Sequence, residues 1–130
     1  DAGSGTGILA IMAMKLGAVK VTAFDIDEWS VENGNENFEI NDFHDLSMQI
    51  GDIRSVKMEE AYDLILANIN KNVLLDEMEV YAAKLLQGGK LLLSGFYDIA
   101  DISQKACEYG LQPLGQKVRN KWTSLLFQKA

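Results

Sequence analysis

The chain has 130 residues, of which 48% are hydrophobic and one is proline, so it is long enough to form one domain with its own core. Its 19 acidic residues outnumber its 12 basic residues and leave a formal net charge of −7. This balance disfavours a nucleic-acid target, because affinity for nucleic acids comes largely from clustered basic side chains, and it suits a basic partner better. We expect a soluble protein of the cytoplasm, because the chain has a single cysteine, no leader and no apolar run long enough to span a membrane.

The chain opens with the sequence DAGSGTG, which runs into an apolar helix predicted over residues 6–16. A glycine-rich turn at a helix start lets a ligand approach the main chain and the free amides of the first turn. A dinucleotide-binding loop would need a glycine at position 8, where this chain has Ile8, while the third glycine is Gly7. The spacing therefore favours a nucleoside with an amino-acid tail, as in S-adenosylmethionine. A purely structural strand-to-helix turn is the alternative interpretation.

Strands and helices alternate along the rest of the chain, which predicts an α/β fold with a parallel sheet covered by helices on both faces. We predict strands over residues 19–25, 47–50, 62–67 and 90–94, and helices over residues 28–40 and 71–86, the second ended by Gly88-Gly89. Asp98 or Asp101 is expected to cap a further helix that stops at Gly110. The tail, residues 112–129, is predicted to be an antiparallel hairpin that turns near Asn120.

The side chains on these elements carry further expectations. Trp29, Phe38 and Ile40 are predicted to anchor the helix over residues 28–40, and Cys107 is expected to be a small buried residue. His44 is expected to be exposed in a polar loop. Trp122 is expected to lie in the core or in the wall of a pocket, and the cations of the tail are expected to be solvated: Lys117, Arg119, Lys121 and Lys129.

Two acidic residues follow the predicted strand over residues 19–25, and they are expected to divide two tasks. Asp25, at the end of the strand, can accept hydrogen bonds from both hydroxyls of a ribose. Asp27 directly precedes a helix and fits a helix cap better. Ile26, between them, would offer an apolar surface to an adenine ring.

Polar residues also end the next two strands. Asp52 either accepts a hydrogen bond from the exocyclic amine of adenine or serves only as a turn residue, and the sequence leaves these two interpretations about even. Asn68 follows the strand YDLILA, where open α/β sheets place their ligands. The loop glycines, Asp25, Asp52 and Asn68 are therefore predicted to converge on one edge of the sheet.

The motifs DAGSGTGILAI, FDIDEWSVENGNEN, ANI and LLLSGF together resemble the C-terminal catalytic domain of the PrmA family, which methylates the ribosomal protein L11. The resemblance implies the Rossmann-like fold of the class I methyltransferases, a mostly parallel seven-stranded sheet with a reversed final strand. It also implies that S-adenosyl-L-methionine is bound by Gly3, Asp25 and Asn68, to which the wider class adds Gly5 and Asp52.

The resemblance further implies that a separate recognition domain and the first strand lie outside this chain. We therefore expect the chain to be inactive by itself. Where the family continues with an apolar residue after ANI, this chain has Asn70-Lys71-Asn72.

The implied reaction is the transfer of a methyl group to lysine side chains and to the N-terminal amine of the ribosomal protein. The leaving thioether is neutral and the amine must arrive uncharged, so orientation supplies much of the acceleration and no general base is assigned.

No cluster of Cys and His has metal-binding spacing. A methyltransferase for RNA or small molecules, and a domain that binds the nucleoside without catalysis, are the alternatives. The chain lacks the N-P-P-Y motif of base-modifying enzymes.

Overall fold

A computed structural model describes all 130 residues, which divide into two units, Asp1–Met58 and Glu59–Ala130. Helices and strands alternate in both units, so the predicted α/β class is confirmed. None of the helices has the length and apolar character needed to cross a membrane.

The first unit contains two helices and two parallel strands. The elements are α1 (Ile8–Lys15), β1 (Ala23–Asp25), α2 (Glu28–Ile40) and β2 (Met48–Ile50). β1 and β2 pair in parallel, with Asp25 opposite Ile50. Ala2 forms a parallel bridge with Phe24, so the residues before the glycine loop lie beside β1. The strand predicted over residues 19–25 is shortened to its last three residues, and Val19 is almost fully exposed.

The core of the first unit forms around Phe38, which is fully buried and packs with Ala10, Ile11, Ala23 and Met48. The predicted bounds of α2 are confirmed. The expectation that Trp29 and Ile40 anchor this helix is wrong, because both are more than 70% exposed and Phe38 alone of the three faces the core.

Gly34 lets α2 lie close to β2. A Cβ atom at this position would lie 2.2 Å from Cε of Met48, so the helix accepts a glycine in its interior in order to pack against the strand.

The second unit is a four-stranded sheet with two helices. Its elements are β3 (Tyr62–Asn68), α3 (Lys71–Lys84), β4 (Leu85–Phe96), α4 (Ala100–Glu108), β5 (Leu111–Arg119) and β6 (Trp122–Lys129). The strand order is β3-β4-β6-β5. β3 and β4 are parallel, while β6 is antiparallel to both β4 and β5. The reversed final strand is therefore confirmed, and it lies inside the sheet rather than at its edge.

The hairpin turn falls where the sequence predicts it. Asn120 and Lys121 both have positive φ angles, 50° and 69°. This combination belongs to the tight turn whose twist matches that of two antiparallel strands.

The predicted end of the third helix at Gly88-Gly89 is wrong. α3 ends at Lys84, and Leu85 already has the extended conformation of a strand and pairs with Tyr62 of β3. A Cβ atom on Gly89 would lie 2.8 Å from the carbonyl oxygen of Leu86, so the two glycines serve an irregular turn inside β4. Pairing with a distant strand overrides the helical pattern of the local sequence.

The expectation that Cys107 is buried is also wrong. α4 turns Ile102 and Ala106, one helical turn apart, toward the core, and both are fully buried. Cys107 is the next residue around the helix and is exposed.

Replacing Tyr81 with phenylalanine should destabilise the second unit. Tyr81 is fully buried, and its hydroxyl donates a hydrogen bond to the buried carboxylate of Glu77, one turn earlier in α3. Loss of that donor should lower the free energy of unfolding by about 1–3 kcal/mol, measured by urea denaturation. The matched control is Tyr109→Phe, which removes a hydroxyl that makes no hydrogen bond within the chain. Equal effects of the two substitutions would contradict a structural role for the Tyr81 hydroxyl.

Candidate functional site

The glycine loop is held against β1 by backbone hydrogen bonds. Gly3, Gly5 and Gly7 all have left-handed conformations, with φ angles of 62°, 57° and 81°. The amide of Ser4 donates to the carbonyl oxygen of Phe24 at 2.9 Å. A Cβ atom on Gly5 would meet nothing within 4 Å, so the main chain of the loop is open to solvent at this point.

The loop also has a structural support that the sequence analysis missed. Oδ2 of Asp1 accepts hydrogen bonds from the hydroxyl of Ser4 at 2.6 Å and from the amide of Ala10 at 3.0 Å. One carboxylate therefore connects the loop to the first turn of α1, where a negative charge is favourable.

Asp25 lies directly beside the loop. Its Oδ2 accepts a hydrogen bond from the amide of Gly5 at 2.9 Å, and its Oδ1 accepts one from the amide of Asp27 at 2.9 Å. These bonds fix the orientation of the carboxylate, and each oxygen retains a lone pair for a further donor. The structure thus brings together the loop and the acidic residue that the sequence analysis selected.

The neighbours of Asp25 take the positions that the sequence suggests. Asp27 caps α2, because its Oδ2 accepts from the amide and the hydroxyl of Ser30 at 3.2 and 3.0 Å. Ile26 is 76% exposed and packs into no core. The geometry is consistent with a division of tasks in which Asp27 caps the helix, while Asp25 is held by two backbone amides and keeps lone pairs for further donors.

Asp52 lies at the same edge as Asp25 and forms a turn. The amide of Gly51 donates to the carbonyl oxygen of Asp25 at 2.9 Å, which joins the ends of β1 and β2. Oδ1 of Asp52 accepts from the amides of Arg54 and Ser55 at 2.9 and 3.0 Å. The turn role is therefore present in the structure, and a contact with adenine stays a prediction.

Asn68 lies in the second unit, at the carboxyl end of β3. Its side chain makes no hydrogen bond within the chain and is exposed. A Cβ atom on Gly95 would lie 2.7 Å from Oδ1 of Asn68 and 2.9 Å from the carbonyl oxygen of Ile69. The absence of a side chain at Gly95, whose φ angle is 97°, allows β4 to approach this strand end closely. The predicted convergence of Asn68 with the loop stays a prediction.

A cleft of about 790 Å³ opens at Asn68. Its walls come from the ends of all four strands of the second unit and from the residues after β3: Asn68, Ile69, Asn70, Ser94, Gly95, Lys117, Val118, Arg119, Trp122, Thr123 and Ser124.

Trp122 is half exposed, and its ring lies 4.3 Å from that of Tyr97, at an angle of 32°. The expectation of a pocket wall at Trp122 is met. The sequence analysis placed Lys117 and Arg119 only on a solvated face and missed their position in the cleft.

The residues after ANI, where the chain departs from the family pattern, stabilise the starts of two helices. Asn70 caps α3, because its Oδ1 accepts from the amide of Val73 at 3.1 Å. Lys71 forms ion pairs with Asp101 at 2.9 Å and with Asp98 at 3.6 Å, which connects the starts of α3 and α4.

These ion pairs affect both partners. The hydrogen bond to Asp101 is the main cause that raises the pKa of Lys71. Asp98 also accepts from the amide of Ala100 at 3.2 Å, and this bond, with the charge of Lys71, lowers its pKa. The sequence analysis named both acidic residues as possible caps and missed their cationic partner.

His44 is exposed, as expected. Its Nδ1 lies 2.6 Å from Oε2 of Glu39, and this hydrogen bond is the main cause that raises the pKa of His44. No hydrogen bond or ion pair joins His44 to the glycine loop or to the cleft, so we assign it no functional role.

The glycine loop, the acidic end of β1 and the reversed strand inside the sheet define the Rossmann-like fold of the class I methyltransferases. A solved structure with this fold, the ribosomal protein L11 methylase of Lactobacillus delbrueckii subsp. bulgaricus, is 32% identical to this chain with a TM-score of 0.88. The match covers 98% of this chain and 68% of that one.

Sequence comparison gives the family. The model of the family described as ribosomal protein L11 methyltransferase (PrmA) matches residues 1–130, so the chain belongs to the PrmA family. The ribosomal protein L11 methyltransferase of Porphyromonas gingivalis is 49% identical over 129 residues, which are 98% of this chain and 44% of that protein. The corresponding protein of Thermotoga maritima is 35% identical, over 100% of this chain and 49% of its own length. The chain thus spans less than half the length of these curated relatives.

Proposed function

We propose that this chain binds S-adenosyl-L-methionine and transfers its methyl group to amines of ribosomal protein L11, namely lysine side chains and the N-terminal amine. The observation that carries the proposal is the pairing of Gly5 with Asp25, in which an open glycine main chain donates its amide to a fixed carboxylate. Membership of the PrmA family supplies the target, since the relatives are named for this ribosomal protein.

The residues of the first unit fit the cofactor. Each oxygen of Asp25 already accepts one backbone amide and has capacity for one more donor, which matches the two hydroxyls of a ribose. The left-handed Gly3 and Gly5 leave the main chain accessible to the amino-acid tail. Ile26 offers an exposed apolar side chain to adenine, and Asp52 lies at the same edge for its exocyclic amine.

The cleft of the second unit suits the target amine. When bound, the cofactor supplies an electrophilic methyl group whose transfer leaves a neutral thioether. What the chain must do is hold an uncharged amine in line with that group. Asn68 has a free side-chain amide at the cleft, and its carbonyl oxygen can accept a hydrogen bond from the amine. Trp122, whose ring packs against that of Tyr97, offers the alkyl part of a lysine side chain an aromatic wall of the cleft.

Replacing Asn68 with alanine should weaken cofactor binding or lower turnover. Loss of one orienting hydrogen bond is expected to reduce the rate at least about tenfold, which corresponds to about 1.4 kcal/mol. Calorimetry with S-adenosylmethionine and a single-turnover assay measure the two effects. Asn72→Ala is the matched control, because Asn72 is exposed on α3 and does not line the cleft. An unchanged affinity together with an unchanged rate would refute the role of Asn68.

The proposed function is tested with cofactor labelled at its methyl group. The chain is offered purified ribosomal protein L11 and ribosomal RNA in separate reactions, and label is counted on each. Because the relatives are about twice as long, a chimera is tested in parallel, in which this chain replaces the matching segment of the Porphyromonas gingivalis protein. Label on the amines of the ribosomal protein supports the proposal. Label on RNA, or cofactor binding without transfer by either protein, overturns it.

We also propose that recognition of the ribosomal protein depends on a segment outside these 130 residues. The chimera should then methylate the protein while the chain alone does not. Multiple methylation by the chain alone would contradict this. A ribosomal substrate is in keeping with the predicted cytoplasmic location.

A further inference from the structure

A row of polar residues crosses the sheet of the second unit and forms the floor of the cleft. Asn68 is in register with Ser94, Ser94 with Ser124, and Ser124 with Lys117, so one residue from each of the four strands contributes. All four line the cleft. None of their side chains makes a hydrogen bond within the chain. These groups are exposed or half-buried, so their hydrogen-bonding capacity is open to a ligand that enters the cleft.

Two cations lie at one end of this row. Arg119 follows Lys117 by two residues on β5, so both side chains lie on the same face of the strand, and Arg119 is opposite Trp122. Neither cation has an ion pair or a hydrogen bond. The chain as a whole has a net charge of −7, whereas this end of the cleft is positively charged.

The other charged groups near the cleft do not offset these cations. No acidic residue and no histidine lines it on β3, β4, β5 or β6. Asp98 and Asp101, at the start of α4, are occupied by Lys71, and Lys121 in the hairpin turn lies outside the lining. A protonated amine that enters the cleft therefore meets two like charges and no carboxylate.

We propose that Lys117 and Arg119 lower the pKa of the target amine in the cleft, so that the amine is bound and methylated as the neutral base without a general base from the chain. This inference rests on the proposed function and adds the means by which the amine loses its proton. A like charge disfavours the charged form of a titratable group. The proton goes to solvent before transfer, and the amine nitrogen then keeps the lone pair that forms the new bond to carbon.

The distances allow an effect of useful size. Lys117 lies two strands from Ser94, which is about 10 Å at the usual strand spacing. Two charges at such a distance, partly shielded by the protein, lower the pKa of an amine by about one unit in total. A lysine amine, with an ordinary pKa of about 10.4, is almost entirely charged near neutral pH, so a shift of one unit makes its reactive form about tenfold more abundant.

The test is the pH dependence of kcat in the chimera, with ribosomal protein L11 as the substrate between pH 6.5 and 9.5. The double variant Lys117→Gln/Arg119→Gln should move the acidic limb of kcat about one pH unit upward. At pH 7.5, kcat and KM should both fall about tenfold, because the charged amine now enters the cleft and is unproductive. The ratio kcat/KM should change little, since it reports the free amine.

Lys90→Gln is the matched control, because Lys90 is an exposed lysine in the middle of β4 and outside the cleft. It should leave the profile unchanged. Added salt should reduce the difference between the double variant and the unmodified protein by screening the two charges.

A second measurement does not depend on turnover. Calorimetry of the chain with a lysine peptide should show that affinity rises between pH 7 and pH 9.5, and that the double variant loses most of this rise. Calorimetry therefore tests the inference even if neither the chain nor the chimera transfers label. A failure to transfer label would count only against the proposed function.

Two results would overturn the inference. A kcat profile that does not move in the double variant, together with an unchanged kcat/KM, would show that the cations leave the amine unaffected; protection of the edge strand β5 would then be the remaining explanation for them. A salt-sensitive fall in kcat/KM with an unshifted kcat profile would show that the cations bind an acidic group of the substrate instead.

Discussion

Replacing Asp25 with alanine should weaken the binding of S-adenosylmethionine about 100-fold or more. The substitution removes the acceptor for both ribose hydroxyls, and hydrogen bonds to a charged group contribute about 1.5–3 kcal/mol each. It also leaves the amide of Gly5 without the carboxylate that holds the loop beside β1. Calorimetry on the chain measures the change in Kd, and thermal unfolding separates loss of affinity from loss of structure.

The matched control is Asp27→Asn, two residues away. This substitution removes the same charge but keeps a side-chain oxygen that can cap α2 through Ser30. Its affinity should change less than about threefold, because the side chain of Asp27 serves the helix. If the two substitutions weakened binding equally, the effect would come from net charge, and the proposed contact of Asp25 with ribose would be wrong.

Replacing Gly95 with alanine should both destabilise the second unit and damage the cleft. The alanine would be strained at a φ angle of 97°, and its Cβ would lie within 3 Å of Oδ1 of Asn68 and of the backbone of Ile69. Strain of this kind costs about 1–3 kcal/mol, and the backbone contact adds to it because main-chain atoms cannot move aside cheaply. We expect a loss of about 2–4 kcal/mol in the free energy of unfolding, measured in urea, together with loss of methyl transfer in the chimera.

Two other glycines separate the causes. Gly88 has a φ angle of 79° but open space around its Cβ position, so Gly88→Ala reports the strain alone. Gly115 has open space and no positive φ angle, so Gly115→Ala should be nearly neutral. If Gly95→Ala cost no more than Gly88→Ala, the close approach of β4 to Asn68 would be without energetic consequence.

Within each unit, side-chain bonds hold the candidate residues in place. In the first unit, Asp1 holds the glycine loop against α1 and Asp25 holds it against β1, so the loop is fixed before any ligand binds. Such preorganisation lowers the entropy lost on binding. In the second unit, the ion pairs of Lys71 join the starts of the two helices and position the segment after Asn68. Asn70 and Lys71, two of the unusual residues after ANI, are therefore explained by a helix cap and by ion pairs between two helices.

Much of the fold follows from local sequence signals. The apolar strand YDLILA, the bounds of α2, the cap at Asp27 and the turn at Asn120 all depend on residues close to one another in the chain. The same holds for the candidate cofactor residues, since glycine spacing and acidic strand ends are local patterns. Gly3, Gly5 and Asp25 are brought together in the first unit as expected, and their roles toward a ligand stay predictions.

Other features were decided by contacts between distant parts of the chain. Trp29 and Ile40 match the apolar pattern of an anchor as well as Phe38 does, yet only Phe38 meets the core that Ala23 and Met48 form. Cys107 is exposed because α4 turns Ile102 and Ala106 inward. In each case the local sequence gives a residue's helical face, and the packing of other elements decides whether that face is covered.

The amino-acid sequence by itself thus determined the order and type of the elements, the family and the candidate residues for the cofactor. Each of these depends on the spacing of residues that are only a few positions apart. Only the tertiary structure decided that α3 stops at Lys84, where Leu85 pairs with β3, and that Lys117 and Arg119 line the cleft beside Asn68. The physical reason for the helix end is the pairing of Leu85 with Tyr62, and the reason for the cleft is that β6 inserts between β4 and β5. This strand order places residues more than 45 positions apart in one register across the sheet, a relation that no local pattern encodes.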